Sequence, residues 1–484
     1  MKPEIIALII LLYFGLLILV AQFTSRNAGN EGFFLGNRQS PWYIVAFGMI
    51  GASLSGVTFI SVPGWVGTNQ FAYLQMVLGY LLGYAVIANI LLPLYYRLQL
   101  TSIYTYLDQR FGSYSYKTGA WFFLLSRTIG AAFRLFLVAN VLQLAIFDAW
   151  NVPFVVTVII TIVLIWLYTF RGGIKTIVWT DTLQTLFMLL AVGFTIYYLG
   201  KDLQLSLGQM ADTVIQSDFS RIWFFDDWQD KRHFIKQFLS GAFITIVMTG
   251  LDQDMMQKNL SCRSLPEAKK NVYWYGFAFI PVNILFMSLG VLLYIYAARE
   301  GIPFPERTDN IFPLIATGDF LAPIVGVFFM LGLMAAAYSS ADSALTALTT
   351  SFTIDILGIQ KKIKERAKRI KIRKRVHVGF SLLLLLVIVL FRAINDQSVI
   401  ESLFLVAGYT YGPLLGMYSF GLFTRRVVQD KNVPLIAVAS PIVCLVLYFI
   451  SPFLFNGYIF GFEMLLINGG LTFTGLALIS KKSS

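Results

Sequence analysis

The chain of 484 residues has few charged residues, two cysteines and two histidines. Charged residues make up 13% of it, well below the ~25% that is usual for a soluble domain. Cys262 and Cys444 are too few for a disulfide framework, and no cysteine–histidine cluster indicates a zinc or haem site. Hydrophobic residues reach 57%, with a mean hydropathy of +0.72. This composition predicts an integral membrane protein.

The sequence also lacks the motifs of several enzyme and nucleotide-binding classes. It contains no Gly-x-x-x-x-Gly-Lys-Ser/Thr loop, no His-Glu-x-x-His and no Gly-x-Ser-x-Gly. We therefore expect neither an ATP-driven pump nor an enzyme. The net charge of +12 does not indicate a nucleic-acid partner, because ten of the 37 basic residues lie between Lys361 and Arg375, as in a loop at the cytoplasmic membrane surface.

Apolar runs bounded by charged or turn residues predict thirteen spans of a lipid bilayer. With the N-terminus outside, the inward-facing loops and the C-terminus hold 26 Lys and Arg, and the outward-facing loops hold 9. This excess predicts a multi-pass protein of the plasma membrane with its C-terminus in the cytoplasm. The spans cover residues 4–24, 41–63, 71–96, 118–147, 152–170, 175–199, 234–252, 272–298, 320–356, 376–394, 399–423, 432–454 and 458–480.

Two of the predicted spans contain residues that interrupt a helix. Residues 51–56 place two glycines and two serines midway along span 2, and span 7 contains Ser240-Gly241 and ends near Thr249-Gly250. A single glycine more often allows close helix packing. Broken helices at matching places, however, are typical of transporters built from inverted repeats. We therefore predict one all-α transmembrane domain with a peripheral first helix and loop (1–40), repeat 1 (41–199), repeat 2 (234–423) and two peripheral helices (432–484).

Span 9 combines small residues with oxygen ligands. Ala336, Ser339, Ser340 and Ser343 recur at i, i+3, i+4 and i+7, so they share one helix face. Such a face can let another helix pack closely, or it can hold a dehydrated hard cation such as Na⁺. The carboxylate of Asp342 in the same segment favours a functional role, since ionisable groups are costly inside a membrane.

Five segments, in order along the chain, resemble motifs of the sodium/solute symporter family, which includes sodium–glucose, proline, iodide and sialic-acid transporters. They are Phe33-Phe34-Leu35-Gly36-Asn37-Arg38 with Pro41-Trp42, Gly172-Gly173 with Thr180-Asp181 and Gln184, residues 250–258, the Ser339-Ser340 pair, and Tyr411-Gly412-Pro413 with Arg425-Arg426. Nearly the whole chain resembles the family. The resemblance implies a leucine-transporter-like core of ten helices with three peripheral ones, and Na⁺ as the coupled ion.

The resemblance also implies a shared sodium site. Its ligands match the carbonyls of Gly51 and Leu54 in span 2 and the carbonyl of Ala336 in span 9, together with the hydroxyls of Ser339 and Ser340. Hard cations need several such oxygens to replace their water. The alternative is that the two serines hydrogen-bond to carbonyls four residues earlier in their own helix.

Some members of the family bind a second sodium ion, and the matching positions here are Asp181, Asp342 and Ser343. Asp342 departs from the family pattern, which has a serine there. Two carboxylates could bind a cation more strongly, or one of them could hold a proton because nearby like charges repel. A third alternative is that Asp342 pairs with a basic residue and binds no ion.

Arg127 and Arg134 lie seven residues apart in span 4 and therefore on one helix face. In the sialic-acid branch of the family an arginine on this helix binds the substrate carboxylate, and Arg134 matches it. The alternatives are an internal ion pair for Arg134 and a snorkelling position for Arg127. Further candidates for substrate binding are Ser53, Ser55 and Thr58 near the break in span 2, and Gln75 on span 3.

The sequence thus predicts a sodium-coupled secondary active symporter that imports a small polar solute by alternating access. The solute could be a sugar or a carboxylated sugar such as sialic acid. A proton-coupled transporter of the same fold and an ion channel remain alternatives. The sequence does not indicate the oligomeric state.

Overall fold

The computed structural model describes residues 3–24, 38–100, 102–169, 174–394 and 398–481, nearly all of them helical. The family motifs at 33–37 and 172–173 lie outside the described residues, as does the side chain of Asp342. The longer helices in the first half of the chain are α1 (Pro3–Thr24), α2 (Trp42–Leu54), α3 (Gly56–Asn69), α4 (Ala72–Arg97), α5 (Thr105–Arg110), α6 (Ser113–Phe147), α7 (Phe154–Thr169), α8 (Ile174–Asp202) and α9 (Leu207–Gln216).

The second half continues in the same all-helical manner. Its helices are α10 (Phe234–Gly250), α11 (Gln253–Leu260), α12 (Leu265–Arg299), α13 (Ile311–Thr317), α14 (Pro323–Ile356), α15 (Ile359–Lys362), α16 (Arg366–Ile394), α17 (Val399–Phe423), α18 (Val433–Leu454) and α19 (Met464–Leu478). Single 3₁₀ turns cover Asp218–Ser220, Thr308–Asn310 and Asp430–Asn432, and β1 (Val427–Val428) pairs antiparallel with β2 (Ser480–Lys481).

Within the described residues, eight helices are long and apolar enough to cross a membrane, and two bent helix pairs pass the same test when each pair counts as one span. Three shorter apolar helices, Glu4–Val20, Phe154–Trp166 and Met464–Leu478, coincide with predicted spans 1, 5 and 13. The all-α membrane fold is therefore confirmed, whereas the count of thirteen crossings stays a prediction. Helices α6, α14 and α17 are mostly buried inside the protein, while α16 and α18 are mostly exposed at its periphery.

The interruption predicted in span 2 is a real break, whereas the second helix is continuous through Ser240-Gly241 and breaks only at the predicted end of span 7. Helices α2 and α3 meet at Ser55 with a bend of 56°, and α10 and α11 meet at Leu251–Asp252 with a bend of 69°. The first break follows Gly51, where an added Cβ would lie 2.0 Å from Thr185 Oγ1 of α8, so only glycine lets the two helices approach this closely. The breaks stand at the first helix of each predicted repeat.

Two predicted loops contain helix. The predicted span 10 begins at residue 376, whereas α16 begins at Arg366, so the basic segment forms the first turns of a long helix. The predicted loop 200–233 contains α9, whose start is fixed by a capping box between Ser206 and Gln209.

Candidate functional site

A cavity lies between the two broken helices. Its volume is about 80 Å³, well below the ~300–1,000 Å³ that is typical of small-molecule sites. The first broken helix contributes Ser53, Ser55 and Thr58 to its wall, and the second contributes Thr245 and Thr249. Three of the predicted substrate residues therefore share one wall of a cavity with hydroxyls that the sequence did not single out.

Arg134 of α6 also lines this cavity and is half-buried. No carboxylate of the described residues forms an ion pair with it, and its Nε has no hydrogen-bond partner among them. The alternative of an internal ion pair is therefore not seen at Arg134. A guanidinium in this position presents a planar fork of donors to whatever occupies the cavity.

Arg127, two helical turns along α6, has the opposite environment. Its guanidinium binds Asp254 and lies 3.6 Å from Asp252 Oδ2, and all three side chains are buried. The snorkelling alternative is thus wrong, because the side chain stays inside the protein. Asp252 also accepts a hydrogen bond of 2.8 Å from the hydroxyl of Tyr411 in α17. This cluster joins α6, α11 and α17 on one side of the cavity.

On the same side, two tyrosines donate hydrogen bonds to backbone carbonyls at the break between α10 and α11. Tyr95 donates to the carbonyl of Gly250 at 2.9 Å, and Tyr104 donates to the carbonyl of Leu251 at 3.0 Å. A broken helix leaves such carbonyls without intrahelical partners. The cavity is therefore closed on this side by ordered hydrogen bonds as well as by charge.

Aromatic side chains close the other side. Tyr73 and Tyr80 of α4 share a hydroxyl–hydroxyl hydrogen bond of 3.2 Å, and Phe404 of α17 packs against Tyr73. Gln75 does not line the cavity. Its amide donates to the carbonyl of Arg232 at 2.8 Å, so the structure places this predicted substrate residue against the loop 200–233 instead.

The carbonyl ligands predicted in α2 lie at the helix break. Gly51 O accepts a hydrogen bond of 3.2 Å from the backbone N–H of Ser55, and Leu54 is the last residue of the helix. Gly51 packs directly on Asp181 and Thr185 of α8. The break thus brings the end of α2 against α8, which in turn packs along α14.

The hydroxyls predicted in α14 point away from lipid. Ala336, Ser339 and Ser340 are all buried. Ser339 Oγ donates to Asp181 Oδ1 at 2.6 Å, and Ser340 Oγ has no partner among the described residues. Neither serine therefore bonds back to its own helix. A buried hydroxyl without a partner is costly, which favours an ion as its missing partner. The sodium site itself stays a prediction.

Asp181 and Ser343, predicted for a second cation, are also buried. The sequence did not predict that Asp181 Oδ2 accepts from Lys258 Nζ at 2.9 Å, with both side chains almost fully buried. Asp254 and Lys258 belong to the family motif at residues 250–258, but the sequence assigned them no role, because the predicted span 7 ended at residue 252. The signal was nevertheless present, since Asp181 and Arg127 lie within predicted spans and intramembrane charges need partners.

Comparisons with known proteins agree with this fold. A family model described as "Sodium:solute symporter family" matches residues 33–431. The chain is 25% identical to the sodium/sialic acid symporter NanT of Aliivibrio fischeri, over 89% of this chain and 85% of that protein. It is 24% identical to the sodium/sialic acid symporter SiaT of Proteus mirabilis, over 85% and 83% of the two chains.

Among solved structures, a Na⁺-coupled sialic acid symporter in a substrate-bound outward-open state superposes with a TM-score of 0.80, at 20% identity and over 99% of both chains. That similarity establishes the fold of a multi-pass membrane transporter. The relatives are transporters and not enzymes. Because the family model covers most of its length, the chain belongs to the sodium:solute symporter family, in which Na⁺ is the coupled ion and a small molecule the cargo.

Proposed function

We propose that this sodium-coupled symporter imports a small polar solute that carries a carboxylate, with sugar acids such as sialic acid as the leading candidates. The observation that carries the proposal is the guanidinium of Arg134, which lines the cavity without an ion pair to the described residues. The side chain is half-buried and its Nε is shielded from water, so the lack of a charged partner carries a cost. An anionic cargo would supply the missing charge, and its bidentate pairing would select carboxylate over neutral solutes.

The hydroxyls around the cavity would bind the rest of the solute. Ser53, Ser55 and Thr58 come from the first broken helix, and Thr245 and Thr249 from the second. A polyol or sugar ring needs several donors and acceptors of this kind, since each unmatched polar group would cost affinity. The aromatic rings of Tyr73 and Phe404 would cover the apolar face of the ring.

Sodium would act at the predicted site of Gly51, Leu54, Ala336, Ser339 and Ser340. An ion there would bridge α2 to α14 and so fix the broken helix that also lines the solute cavity. Ion and solute binding would then favour each other through a shared conformation. Residues 41–199 and 234–423 would be the two inverted repeats that rock against each other, supported by the helix breaks at the first helix of each.

The proposed orientation places the N-terminus outside and the C-terminus in the cytoplasm of a plasma-membrane protein. Its support is the distribution of Lys and Arg among the loops, including the basic start of α16. In that orientation the Arg127 cluster lies on the cytoplasmic side of the cavity and the aromatic side faces outward. A cysteine introduced into loop 200–233 would then react with an impermeant reagent on intact cells, and one in 357–375 would not.

Two rivals are less well supported. The first is proton coupling through Asp181 or Asp342. The side chain of Asp342 lies outside the described residues, and both oxygens of Asp181 already accept hydrogen bonds, one of them from an ammonium, which disfavours proton exchange there. A channel would need a continuous pore, whereas the cavity is bounded by the Arg127 cluster on one side and by aromatic rings on the other.

The test is uptake into liposomes that contain the purified protein, under an inward Na⁺ gradient. We expect saturable uptake of labelled sialic acid or another carboxylated solute, and none when choline replaces Na⁺. Neutral sugars of similar size should compete weakly. Equal uptake of neutral and carboxylated solutes would refute the proposed cargo, and uptake that follows a pH gradient at constant Na⁺ would instead establish the proton-coupled rival.

A further inference from the structure

Each oxygen of the buried Asp181 carboxylate accepts a hydrogen bond. Ser339 Oγ donates to Oδ1 at 2.6 Å, and Lys258 Nζ donates to Oδ2 at 2.9 Å. Side-chain exposure is 1% for Asp181 and 3% for Lys258, so the ammonium is the nearest compensation for a charge that water does not reach. An unpaired carboxylate at this depth would be strongly unfavourable.

This ion pair adjoins the predicted sodium site. A Cβ added at Gly48 of α2 would lie 3.3 Å from Asp181 Cβ, and one added at Gly51 would lie 3.3 Å from the carbonyl oxygen of Asp181. Ser339, a predicted sodium ligand, contacts Asp181 directly. The Lys258 ammonium therefore pairs with the carboxylate that the family resemblance assigns to a second sodium ion.

The three helices that meet here are α8 with Asp181, α14 with Ser339 and α11 with Lys258. A cation bound between them would join the same helices that the ammonium joins now. A lysine ammonium is a compact point charge on a flexible stem, and it can stand where a monovalent ion would.

We propose that the Lys258 ammonium is a tethered counter-ion for Asp181 that takes the place of a second sodium ion, so that one Na⁺ accompanies each solute. The inference rests on the proposed sodium-coupled function and specifies its ion ratio. It uses the Asp181 half of the predicted second site and makes no use of the side chain of Asp342.

The pair would also prepare the remaining sodium site. A serine hydroxyl has one proton and two lone pairs, and Ser339 gives its proton to Asp181. Its lone pairs then point away from Asp181 and could serve as ligands for a cation. Lys258 would act through Asp181 as a positioning residue, since it keeps the carboxylate charged and in reach of Ser339.

The experiment removes the tethered charge. Lys258→Met keeps most of the length of the side chain and leaves Asp181 without its ammonium. Free Na⁺ should then fill the vacated position, so the Hill coefficient for Na⁺ should rise from about one to nearly two, because it can reach the number of coupled sites. Lys258→Arg should keep the wild-type coefficient, and Lys258→Met with Asp181→Asn should restore it by removing the charge that needs a second ion.

Sodium binding is measured in two ways. One is the Na⁺ dependence of the thermal unfolding of purified protein without solute, and the other is the solute gradient at which flux through the wild-type protein reverses. A solute gradient at reversal that corresponds to two Na⁺ per solute would overturn the proposal. A Hill coefficient that stays at about one in folded Lys258→Met would overturn it too. If Lys258→Met does not fold, the wild-type reversal decides alone. If no carboxylated solute is transported, the cargo proposal fails while the solute-free measurement still tests the ion ratio.

Discussion

The hydroxyl of Ser340 offers the sharpest test of the sodium site. It is buried in α14 and has no hydrogen-bond partner among the described residues. Ser340→Ala therefore removes no protein–protein bond, and the free energy of unfolding without Na⁺ should stay the same or rise slightly, since an unsatisfied buried hydroxyl is lost. Any weakening of Na⁺ binding in this variant then reports the loss of a contact between the hydroxyl and the ion.

The size of that loss follows from the bond that the hydroxyl would make. A hydrogen bond or similar contact to a charged partner contributes about 1.5–3 kcal/mol, which corresponds to a roughly 10- to 150-fold increase in the Na⁺ concentration for half-maximal effect. Ser126→Ala is the matched control, because Ser126 is a buried serine whose Oγ bonds back to Phe122 of its own helix at 2.7 Å. That variant should leave the Na⁺ dependence unchanged.

The assay is the shift of the unfolding temperature with Na⁺, repeated for Na⁺-driven uptake in liposomes. Potassium and choline at equal ionic strength separate specific binding from salt effects. If Ser340→Ala kept the wild-type Na⁺ dependence in both assays, the assignment of the sodium site would be refuted. If the Ser340→Ala variant were unfolded in the absence of Na⁺, the hydroxyl would have a structural role, which its lack of a hydrogen-bond partner among the described residues argues against.

Three other variants test the rest of the site. Arg134→Gln should weaken binding of a carboxylated solute by about 30-fold or more while the Na⁺-dependent stabilisation persists; retained uptake would give Arg134 a structural role. Arg127→Gln should loosen the side of the cavity where it pairs with Asp254, so a Thr245→Cys probe should react faster with an impermeant thiol reagent from the proposed cytoplasmic side. An unchanged rate would show that this ion pair does not restrict access to the cavity. Gly51→Ala should cost about 1–3 kcal/mol of stability by collision with Thr185 Oγ1, and added Thr185→Ala should recover part of it, which denaturation of both variants would measure.

Much of the fold could be predicted because local patterns determine it. Apolar runs gave the helices, since a bilayer demands long uncharged segments, and the glycines of residues 51–56 marked the break that the structure places at Ser55. The start of α16 could not be predicted from hydropathy. Its first turns are basic and therefore fall outside the apolar run, but lysine and arginine are good helix formers and the helix begins there.

Side-chain pairing was far less predictable. Asp181 and Lys258 are 77 residues apart, and no local pattern relates them. Ser339 was predicted as an ion ligand, but its bond to Asp181 depends on how α8 and α14 pack. Gln75 was predicted to contact the substrate because it is polar. Its amide instead donates a hydrogen bond to the carbonyl of Arg232 in the loop 200–233. Which partner a buried polar group finds is set by tertiary packing, which periodicity does not encode.

The short helix α11 carries residues of both buried ion-pair clusters. Asp252 and Asp254 at its start pair with Arg127, and Lys258 near its end pairs with Asp181 beside the predicted sodium ligands. The helix spans Gln253–Leu260, so a rigid-body movement of it must change both pairs together. If Na⁺ binds at Ser339, it would also restrain Asp181 and, through Lys258, α11 and the Arg127 side of the cavity. We therefore predict that release of the ion is coupled to loosening of the Arg127 cluster.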